Sequence, residues 1–322
     1  MTGSIFDIRG KSVWVAGHRG MVGSAVVRRL ADEGISDLLV ATSNEVDLRR
    51  QDATEEFVMR ARPDVAVLAA AKVGGIHANR SAQADFLYDN IMIAINCLRA
   101  CQIAGVEKVI VLGSSCIYPG QSPQPIREEY LLTGPLEPTN EGYAVAKIAA
   151  LEYGRMLRMQ YGMDVVSMLP TNLYGPGDNY DPETSHVLPA LIRKIHKAKM
   201  GDDKTITLWG SGKPRREFLH VDDLANAVLF VMEHYSGETH LNVGTGRDIP
   251  ILELAQLIGN VVGWSGKFLH DTSMPDGVMQ KLLDVSRLTA LGWTSKTELR
   301  EGVRMTYSAF LVERAADPAR QT

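Results

Sequence analysis

The sequence is poor in cysteine, in long apolar runs and in excess charge of one sign. Its 322 residues include only Cys97, Cys101 and Cys116, too few for a disulfide framework, which fits a reducing compartment. No apolar run approaches the roughly 20 residues that cross a bilayer, and the run 13–16 is too short for a signal peptide. The net charge of −4 gives no electrostatic case for nucleic acid. We therefore expect a cytoplasmic protein without membrane or nucleic-acid partners.

Length and composition are those of an ordinary globular protein. Apolar residues make up 45% of the chain and charged residues 22%, both close to the averages for soluble domains. This composition excludes disorder, coiled coils and collagen-like structure. At roughly 150 residues per domain, the length predicts two domains, or one large domain with an elaborated lobe.

The first half of the chain alternates short β-branched runs with helical stretches. Strand-like runs, apolar on both faces, lie at 13–16, 38–41, 65–69, 109–112 and 165–169. Helical segments lie between them at about 22–33, 51–61, 83–104 and 143–161. Strands of this kind, separated by helices, are typical of a parallel sheet covered on both sides. The predicted fold class is therefore α/β, with a doubly wound parallel sheet of Rossmann type.

The pattern changes after Pro170. Residues 174–186 are rich in Gly, Pro, Asp and Asn and predict a loop. The elements predicted after this loop are helices at about 187–199, from an Asp222 N-cap to about 235, near 251–262 and near 298–313, and strands at 205–208 and 240–243. The chain thus passes back and forth, so we expect a second, smaller α/β lobe built from insertions, and a frayed tail over 315–322.

The strongest motif near the start is the segment Gly17-His18-Arg19-Gly20-Met21-Val22-Gly23. It follows a predicted buried strand and opens a predicted helix. Glycines permit a tight turn and let backbone N–H groups approach a pyrophosphate at the helix N-terminus. Its spacing, Gly-x-x-Gly-x-x-Gly, differs slightly from the Gly-x-Gly-x-x-Gly of many dehydrogenases. Its place between strand and helix predicts a dinucleotide cofactor.

The residues after the second predicted strand bear on the choice between NAD and NADP. NAD sites usually place an acidic residue there, which binds the 2′-hydroxyl of the adenosine ribose. This chain has Thr42-Ser43-Asn44 and no acid before Glu45. Arg19 could pair with a 2′-phosphate; the alternative is an Arg that is merely exposed. We predict NADP, bound by Arg19 with help from Ser43 or Asn44.

A second constellation combines Tyr143 and Lys147, four residues apart on a predicted helix, with strand-end serines in the segment 113–116. A phenol with a pKa of about 10 is a poor acid–base catalyst at neutral pH. A nearby ammonium favours the phenolate, so we expect Lys147 to lower the pKa of Tyr143. Together with the glycine segment, this pair indicates a reductase site.

These pieces resemble the extended short-chain dehydrogenase/reductase family over almost the whole chain. The segments that carry the resemblance are AGHRGMVGSA (16–25), AAAKVGGI (69–76), LGSSCIYP (112–119), EPTNEGYAVAK (137–147), PTNLYGPGDNY (170–180), SHVLPAL (185–191), WGSGKPRREFLHVDD (209–223) and NVGTG (242–246). Within the family, the resemblance is to members that epimerise C3 and C5 of GDP-4-keto-6-deoxy-D-mannose and then reduce C4 with NADPH. It implies an NADP-binding domain over 1–174 and 220–246, and a sugar-nucleotide-binding domain over 175–219 and 247–314.

The resemblance also implies roles for individual residues. Ser114, Tyr143 and Lys147 would be the catalytic triad, with Ser114 bonded to the sugar keto oxygen and Tyr143 exchanging its proton. Cys116 and His186 would be the acid–base pair for epimerisation. Lys147 would tune Tyr143 and hold the nicotinamide ribose. The cofactor would further contact Leu112, Gly113, Ser114, Ser115, Tyr143, Lys147, Pro170, Thr171, Asn172, Leu173 and His186. The sugar nucleotide would contact Asn172, Lys194, Trp209, Arg216 and Asp276. Some members carry a second Arg after the second strand, where this chain has Ser43.

Residue chemistry supports these roles, but each has a simpler alternative. A thiol and an imidazole titrate near neutral pH, yet a strand-end cysteine is more often inert packing and a lone loop histidine is usually solvated. We interpret Cys97 and Cys101 as core residues. The basic residues Lys194, Lys213, Arg215 and Arg216 would supply the positive lobe that a nucleoside diphosphate needs, the alternative being an exposed turn. No metal-ligand spacing is present.

Three alternative functions stay open. The same chemistry could act on a 3-deoxy analogue, giving a colitose-type product. A UDP-sugar 4-epimerase with tightly held NAD would have no use for the pair Cys116 and His186. A dinucleotide sensor would not need the set Ser114, Tyr143 and Lys147.

We also expect a homodimer, because helices 83–104 and 143–161 are apolar or small on more than one face.

Overall fold

The computed structural model describes residues 4–273 and 276–316. Its strands are β1 Val13–Ala16, β2 Leu38–Leu39, β3 Val65–Leu68, β4 Lys108–Leu112, β5 Asp164–Pro170, β6 Asn172–Tyr174, β7 Thr205–Trp209, β8 Arg215–His220, β9 Leu241–Val243, β10 Asp248–Pro250, β11 Lys267–Asp271 and β12 Gln280–Lys281. Its helices are α1 Met21–Asp32, α2 Gln51–Ala61, α3 Ile76–Ser81, α4 Gln83–Ala104, α5 Glu141–Tyr161, α6 Val187–Met200, α7 Val221–His234, α8 Ile251–Val262, α9 Ser286–Leu291 and α10 Leu299–Ala316. Short 3₁₀ turns occupy Ser115–Ile117, Glu128–Tyr130 and Pro138–Asn140.

The main sheet is parallel and has the order β2-β1-β3-β4-β5-β9. Successive side chains of a strand point to opposite sides, and β1, β3 and β4 are buried on both faces because helices cover each side of the sheet. Val13 and Val15 pack with α1 and α7, whereas Trp14 and Ala16 pack with α2, α4 and α5. The strand order reverses between β1 and β3, so their carboxyl ends diverge and leave a crevice, which is where such sheets bind ligands. The predicted doubly wound sheet is confirmed.

A second lobe is built around a four-stranded sheet. β8 pairs with β10, β12 and β6, and a separate parallel pair joins β7 to β11. The lobe core includes Ile192 and Ile195 from α6, Ile258 from α8 and Phe310 from α10. The chain leaves the main sheet at β5 and returns to it at β9, as expected for a lobe made of insertions. The domain limits expected from the sequence stay a prediction.

Two expectations about individual elements are wrong, and one long strand was missed. The N-cap of α7 is His220 and not Asp222: the His220 ring accepts from Asp222 N at 3.3 Å, while the Asp222 carboxylate pairs with Arg28. The strand β8 was not predicted, because its first half is charged. Only Leu38–Leu39 of 38–41 is paired as a strand.

The predicted tail is only partly described by the structure. Helix α10 continues through Ala315 to Ala316, so the prediction that the chain is frayed from Ala315 onward is wrong at these two residues. The rest of the predicted tail lies outside the described residues. Within residues 4–273 and 276–316, no helix combines the length and the apolar character needed to cross a bilayer.

Candidate active site

The glycine segment forms a turn that has no room for a side chain at Gly17 or Gly23. Gly17 has φ +81°, and a Cβ there would lie 2.7 Å from the backbone of Ala70. A Cβ at Gly23 would lie 2.1 Å from the carbonyl oxygen of Gly17. The helix α1 that follows has no acidic residue in its first turn, so its N-terminus favours an anion. The Nδ1 atom of His18 is buried without a hydrogen-bond partner in the described part of the chain.

These features fit a bound dinucleotide. The turn leaves backbone N–H groups free to approach phosphates, and the orphaned His18 nitrogen lies in the same segment. Within this segment Arg19 is exposed, as are Ser43 and Asn44 after β2. Glu45 is folded back, accepting from Thr42 N at 2.7 Å and from Thr42 Oγ1 at 2.8 Å.

The fold-back of Glu45 matters for the ribose end of the site. The two Thr42 hydrogen bonds lower the pKa of Glu45, and the nearby charge of Arg19 adds to this effect. The carboxylate is thus ionised and engaged with its own loop. It is not arranged as the acceptor that an NAD ribose would use.

Two neighbouring strand ends supply the remaining predicted cofactor residues. Leu112 ends β4 and is followed by Gly113, Ser114 and Ser115, while Pro170 ends β5 and is followed by Thr171, Asn172 and Leu173. Gly113 N donates to Met168 O at 2.8 Å, which ties the two strand ends together. The carboxyl ends of parallel strands meet at one edge of the sheet. All these residues therefore lie at the edge where the glycine segment also begins.

Ser114 and Cys116 share one turn at the end of β4. The Ser114 hydroxyl oxygen caps the 3₁₀ turn Ser115–Ile117 and accepts from Cys116 N at 3.3 Å. Burial raises the pKa of the Cys116 thiol, while the positive charge of Lys281 and the hydrogen bond to Ser114 act in the opposite direction. The expectation that this thiol titrates near neutral pH is therefore wrong, since desolvation disfavours the thiolate.

Lys281 is a residue that the sequence analysis missed. It lies on β12, which pairs with β8 so that Lys281 stands beside Arg216. Burial lowers the pKa of its ammonium, and the Cys116 thiolate would act against this effect. In the sequence Lys281 lies far from every motif, and only the register of a two-residue strand brings it to the thiol.

Tyr143 and Lys147 lie on one face of α5, as predicted. Lys147 Nζ donates to Leu112 O at 2.9 Å and lies 5.8 Å from the centroid of the Tyr143 ring. The edge of Phe86 packs against Tyr143 in a T-shaped contact, with ring centroids 6.4 Å apart. Tyr143 packs against the buried cluster that contains Cys116, and the charge of Lys147 acts on the Cys116 thiol, so this pair meets the turn of Ser114 and Cys116.

The expected lowering of the Tyr143 pKa is not found. Burial raises the pKa of the Tyr143 phenol and lowers that of the Lys147 ammonium to about 8. Both shifts have the same cause, because a low-dielectric site disfavours each charged form. The phenol is therefore protonated at neutral pH and can act as a proton donor.

His186 is the N-cap residue of α6. His186 is an exposed residue, and the partial desolvation of its imidazole lowers its pKa. Its imidazole is thus neutral at pH 7 and can accept a proton. At neutral pH the protonated Cys116 thiol can donate a proton, and the neutral His186 imidazole can accept one.

The residues predicted to bind the substrate lie on the second lobe, and they differ in solvent exposure and in the hydrogen bonds that they make. Lys194 is exposed and donates to Thr207 O, Trp209 is 71% exposed, and Arg216 is half-buried. Both carboxylate oxygens of Asp276 accept from Ser211, at 2.6 Å each. Asp276 therefore shapes the turn after β7.

The expected basic lobe is smaller than predicted. Arg215 pairs with Asp248 at 2.7 Å, so its charge is neutralised within the sheet. Arg216, Lys194 and exposed Lys213 are left to attract an anion.

Cys97 and Cys101 are buried between α4 and the sheet, as interpreted. Among the described residues, no group of three or more His, Cys, Asp or Glu side chains could hold a metal ion.

The chain belongs to the NAD dependent epimerase/dehydratase family, whose model matches residues 13–244. It is 51% identical to GDP-L-fucose synthase 1 of Arabidopsis thaliana, over 93% of each chain. It is 49% identical to GDP-L-fucose synthase of Escherichia coli, over 93% of this chain and 96% of the other. A solved structure of a GDP-L-fucose synthetase from Naegleria fowleri bound to NADP superposes with a TM-score of 0.89 at 30% identity, over 98% of both chains. These findings confirm the family resemblance given by the motifs.

Proposed function

We propose that this protein is an NADPH-dependent epimerase-reductase that converts GDP-4-keto-6-deoxy-D-mannose to GDP-L-fucose. The observation that carries the proposal is the meeting of the Ser114–Cys116 turn with the Tyr143–Lys147 pair of α5. One pair of hydroxyl groups can bind a keto oxygen, and a thiol stands in the same turn. Similarity to named synthases over almost the full chain supports the choice of substrate.

Epimerisation follows from the acidity that a C4 ketone gives to the hydrogens on C3 and C5. Ser114 and Tyr143 donate hydrogen bonds to the keto oxygen and stabilise the negative charge of the enolate. His186, neutral at pH 7, accepts a ring proton, and Cys116, protonated at pH 7, returns one. Inversion requires that these two groups act on opposite faces of the sugar ring.

Reduction of C4 uses the same hydroxyl groups. Bound NADPH supplies the hydride to C4. Tyr143 donates its proton to the C4 oxygen, a role that suits a phenol kept protonated by burial. Lys147, fixed by Leu112, holds its positive charge below the phenol and stabilises the tyrosinate that this transfer leaves.

The cofactor and the sugar nucleotide would be bound by residues already placed. The glycine segment and α1 would receive the pyrophosphate, and Arg19 the 2′-phosphate of NADP. Lys194 and Arg216 would bind the diphosphate of GDP, and Trp209 would stack on an exposed ring. Asn172 donates to Glu217 O at 2.8 Å, which leaves its amide oxygen as an acceptor for a substrate hydroxyl.

A homodimer in the cytoplasm completes the proposal. The exposed face of α5 carries Val145, Met156 and Met159, which recur at helical spacing, and Tyr88 of the neighbouring helix α4 is 61% exposed. Apolar faces of this kind need cover, and a second copy of the same pair of helices would provide it. The low cysteine content supports a reducing compartment.

One incubation separates this function from its alternatives. The purified protein is mixed with GDP-4-keto-6-deoxy-D-mannose and NADPH, NADPH absorbance is followed, and the product sugar is identified. GDP-L-fucose is the expected product. No loss of NADPH would favour a dinucleotide sensor. Faster turnover of the 3-deoxy analogue would favour the colitose-type reaction, and interconversion of UDP-sugars without net NADPH use would indicate a 4-epimerase.

A further inference from the structure

The loop after β3, residues 69–76, is fixed to α4 by a buried amide. Lys72 N donates to Asn90 Oδ1 at 2.9 Å. Asn90 Nδ2 donates back to Lys72 O at 3.0 Å and to Phe86 O at 2.8 Å. Lys72 Nζ also pairs with Asp89 at 2.8 Å. The middle of the loop is therefore held on the same helix whose Phe86 packs against Tyr143.

The far end of this loop contacts the second lobe through its backbone. Gly75 N donates to Thr184 O at 2.8 Å. A Cβ at Gly75 would lie 2.6 Å from Ser185 O, so only glycine permits the approach. Asn79 Nδ2 donates to Gly74 O at 2.6 Å and to Gly75 O at 3.1 Å, which fixes both peptide groups.

The residue after this contact is His186. No hydrogen bond to its ring is found among the described residues, so the position of the imidazole depends strongly on where the backbone places it. On its C-terminal side the backbone is set by α6, where Ala190 N donates to His186 O at 3.0 Å. On its N-terminal side it is set by Ser185 and Thr184, and thus by Gly75.

We propose that Gly75 and Asn79 are positioning residues for His186. They join the cofactor-side loop to the residues before α6, and this contact sets the distance of the imidazole from the sugar ring. The proposal rests on the proposed function, in which His186 exchanges ring protons. A displacement of about 1 Å can cost about 100-fold in rate when a reacting group is moved.

The test measures proton exchange without reduction. The protein is incubated with GDP-4-keto-6-deoxy-D-mannose in D₂O without NADPH, and deuterium at C3 and C5 is followed by NMR. Gly75→Ala pushes on Ser185, and Asn79→Ala releases the loop, so both should slow exchange by about 10–100-fold. NADPH affinity should stay within twofold of wild type. The matched control is Gly201→Ala at the other end of α6, where φ is −87° and the nearest contact is 3.4 Å; it should exchange like wild type.

A double-mutant cycle separates positioning from general damage. In a His186→Asn background, Gly75→Ala and Asn79→Ala should cause no further loss, since the group they position is gone. A full additional loss in that background, or a parallel loss of NADPH affinity, would overturn the proposal. If Gly75→Ala does not fold, Asn79→Ala decides by the same cycle. If His186→Asn alone exchanges like wild type, the fault lies in the proposed function and not in the positioning contact.

Discussion

Lys147 and Leu112 are joined by a hydrogen bond of 2.9 Å, from the ammonium of one to the carbonyl oxygen of the other. Leu112 is the last residue of β4, so the bond locks the Tyr143 face of α5 onto the strand end that leads to Ser114. A local sequence motif becomes a site because a charged side chain reaches the backbone of another element.

Tyr143→Phe should abolish reduction while leaving NADPH affinity nearly unchanged, because only a hydroxyl is lost. The expected loss of turnover is about 10²–10⁴-fold, the usual range for a general acid. Deuterium exchange at C3 and C5 should fall by less, since Ser114 still donates to the keto oxygen. Tyr153→Phe, on the same helix but packed in the core, is the control and should turn over normally. Full turnover in Tyr143→Phe would contradict the triad.

Arg19→Ala should weaken NADPH binding by about 1–3 kcal/mol, the range for losing a charge-assisted contact. NADH affinity should change much less, because NADH carries no 2′-phosphate. Titration calorimetry with both cofactors measures the difference. An equal loss for both would show that Arg19 supports the glycine turn instead of binding the phosphate.

The pH dependence of exchange should identify which group is the base. The pKa of His186 is lowered, so the neutral, proton-accepting form is lost only below the ordinary imidazole value of about 6.5. The pKa of Cys116 is raised, so the thiol stays protonated beyond the ordinary value of about 8.5. Deuterium exchange should therefore be flat across neutral pH and fall on the acid side. A rise through pH 8–9 would instead indicate that the thiolate is the base.

Asp178→Asn should stabilise the fold at alkaline pH. Asp178 is buried, its Oδ2 has no partner in the described part of the chain, and burial raises its pKa to about 7. Since the unfolded value is about 3.9, wild-type stability is lost as pH rises through the folded pKa. The gain in melting temperature should be larger at pH 8 than at pH 4.5. At pH 8 the free energy of unfolding should rise by about 1–3 kcal/mol.

Asp181→Asn is the matched control for that experiment. Backbone hydrogen bonds from Glu183, at 2.9 Å, and Thr184, at 3.0 Å, contribute to the lowered pKa of Asp181. Its contribution to stability is therefore present at neutral pH and lost as pH falls. Asp181→Asn should destabilise the fold at pH 8, and a stabilising effect from both substitutions would refute the assignment.

Met159→Glu should convert the proposed dimer into a monomer, because it places a charge on the exposed apolar face of α5. Light scattering at micromolar concentration gives the mass of each form. Met200→Glu is the control, since Met200 is equally apolar and 72% exposed but lies on the second lobe. A monomeric wild type, or a dimeric Met159→Glu, would count against this interface.

The sequence by itself predicts the features that depend on neighbours along the chain. Hydrophobic period places β1, β3, β4, α2 and α4 within a residue of their observed ends, because burial on one or two faces leaves a local signal. The glycine turn is local at Gly23, where a Cβ would meet the Gly17 carbonyl oxygen, whereas Gly17 is required by the backbone of Ala70, far away in sequence. The four-residue spacing of Tyr143 and Lys147 guarantees a shared helical face.

Tertiary structure alone decides the charges and the contacts between distant segments. Lys281 reaches Cys116, and Gly75 meets Ser185, only because strands and loops far apart in sequence are brought to one edge of the sheet. The pKa of Tyr143 moves upward and not downward because burial, which no spacing rule reports, disfavours the phenolate, and the charge of Cys116 acts in the same direction. Sequence thus predicted most of the residues of the candidate site but not Lys281, and packing decides the direction in which the pKa of each group moves, since desolvation depends on everything that surrounds a group.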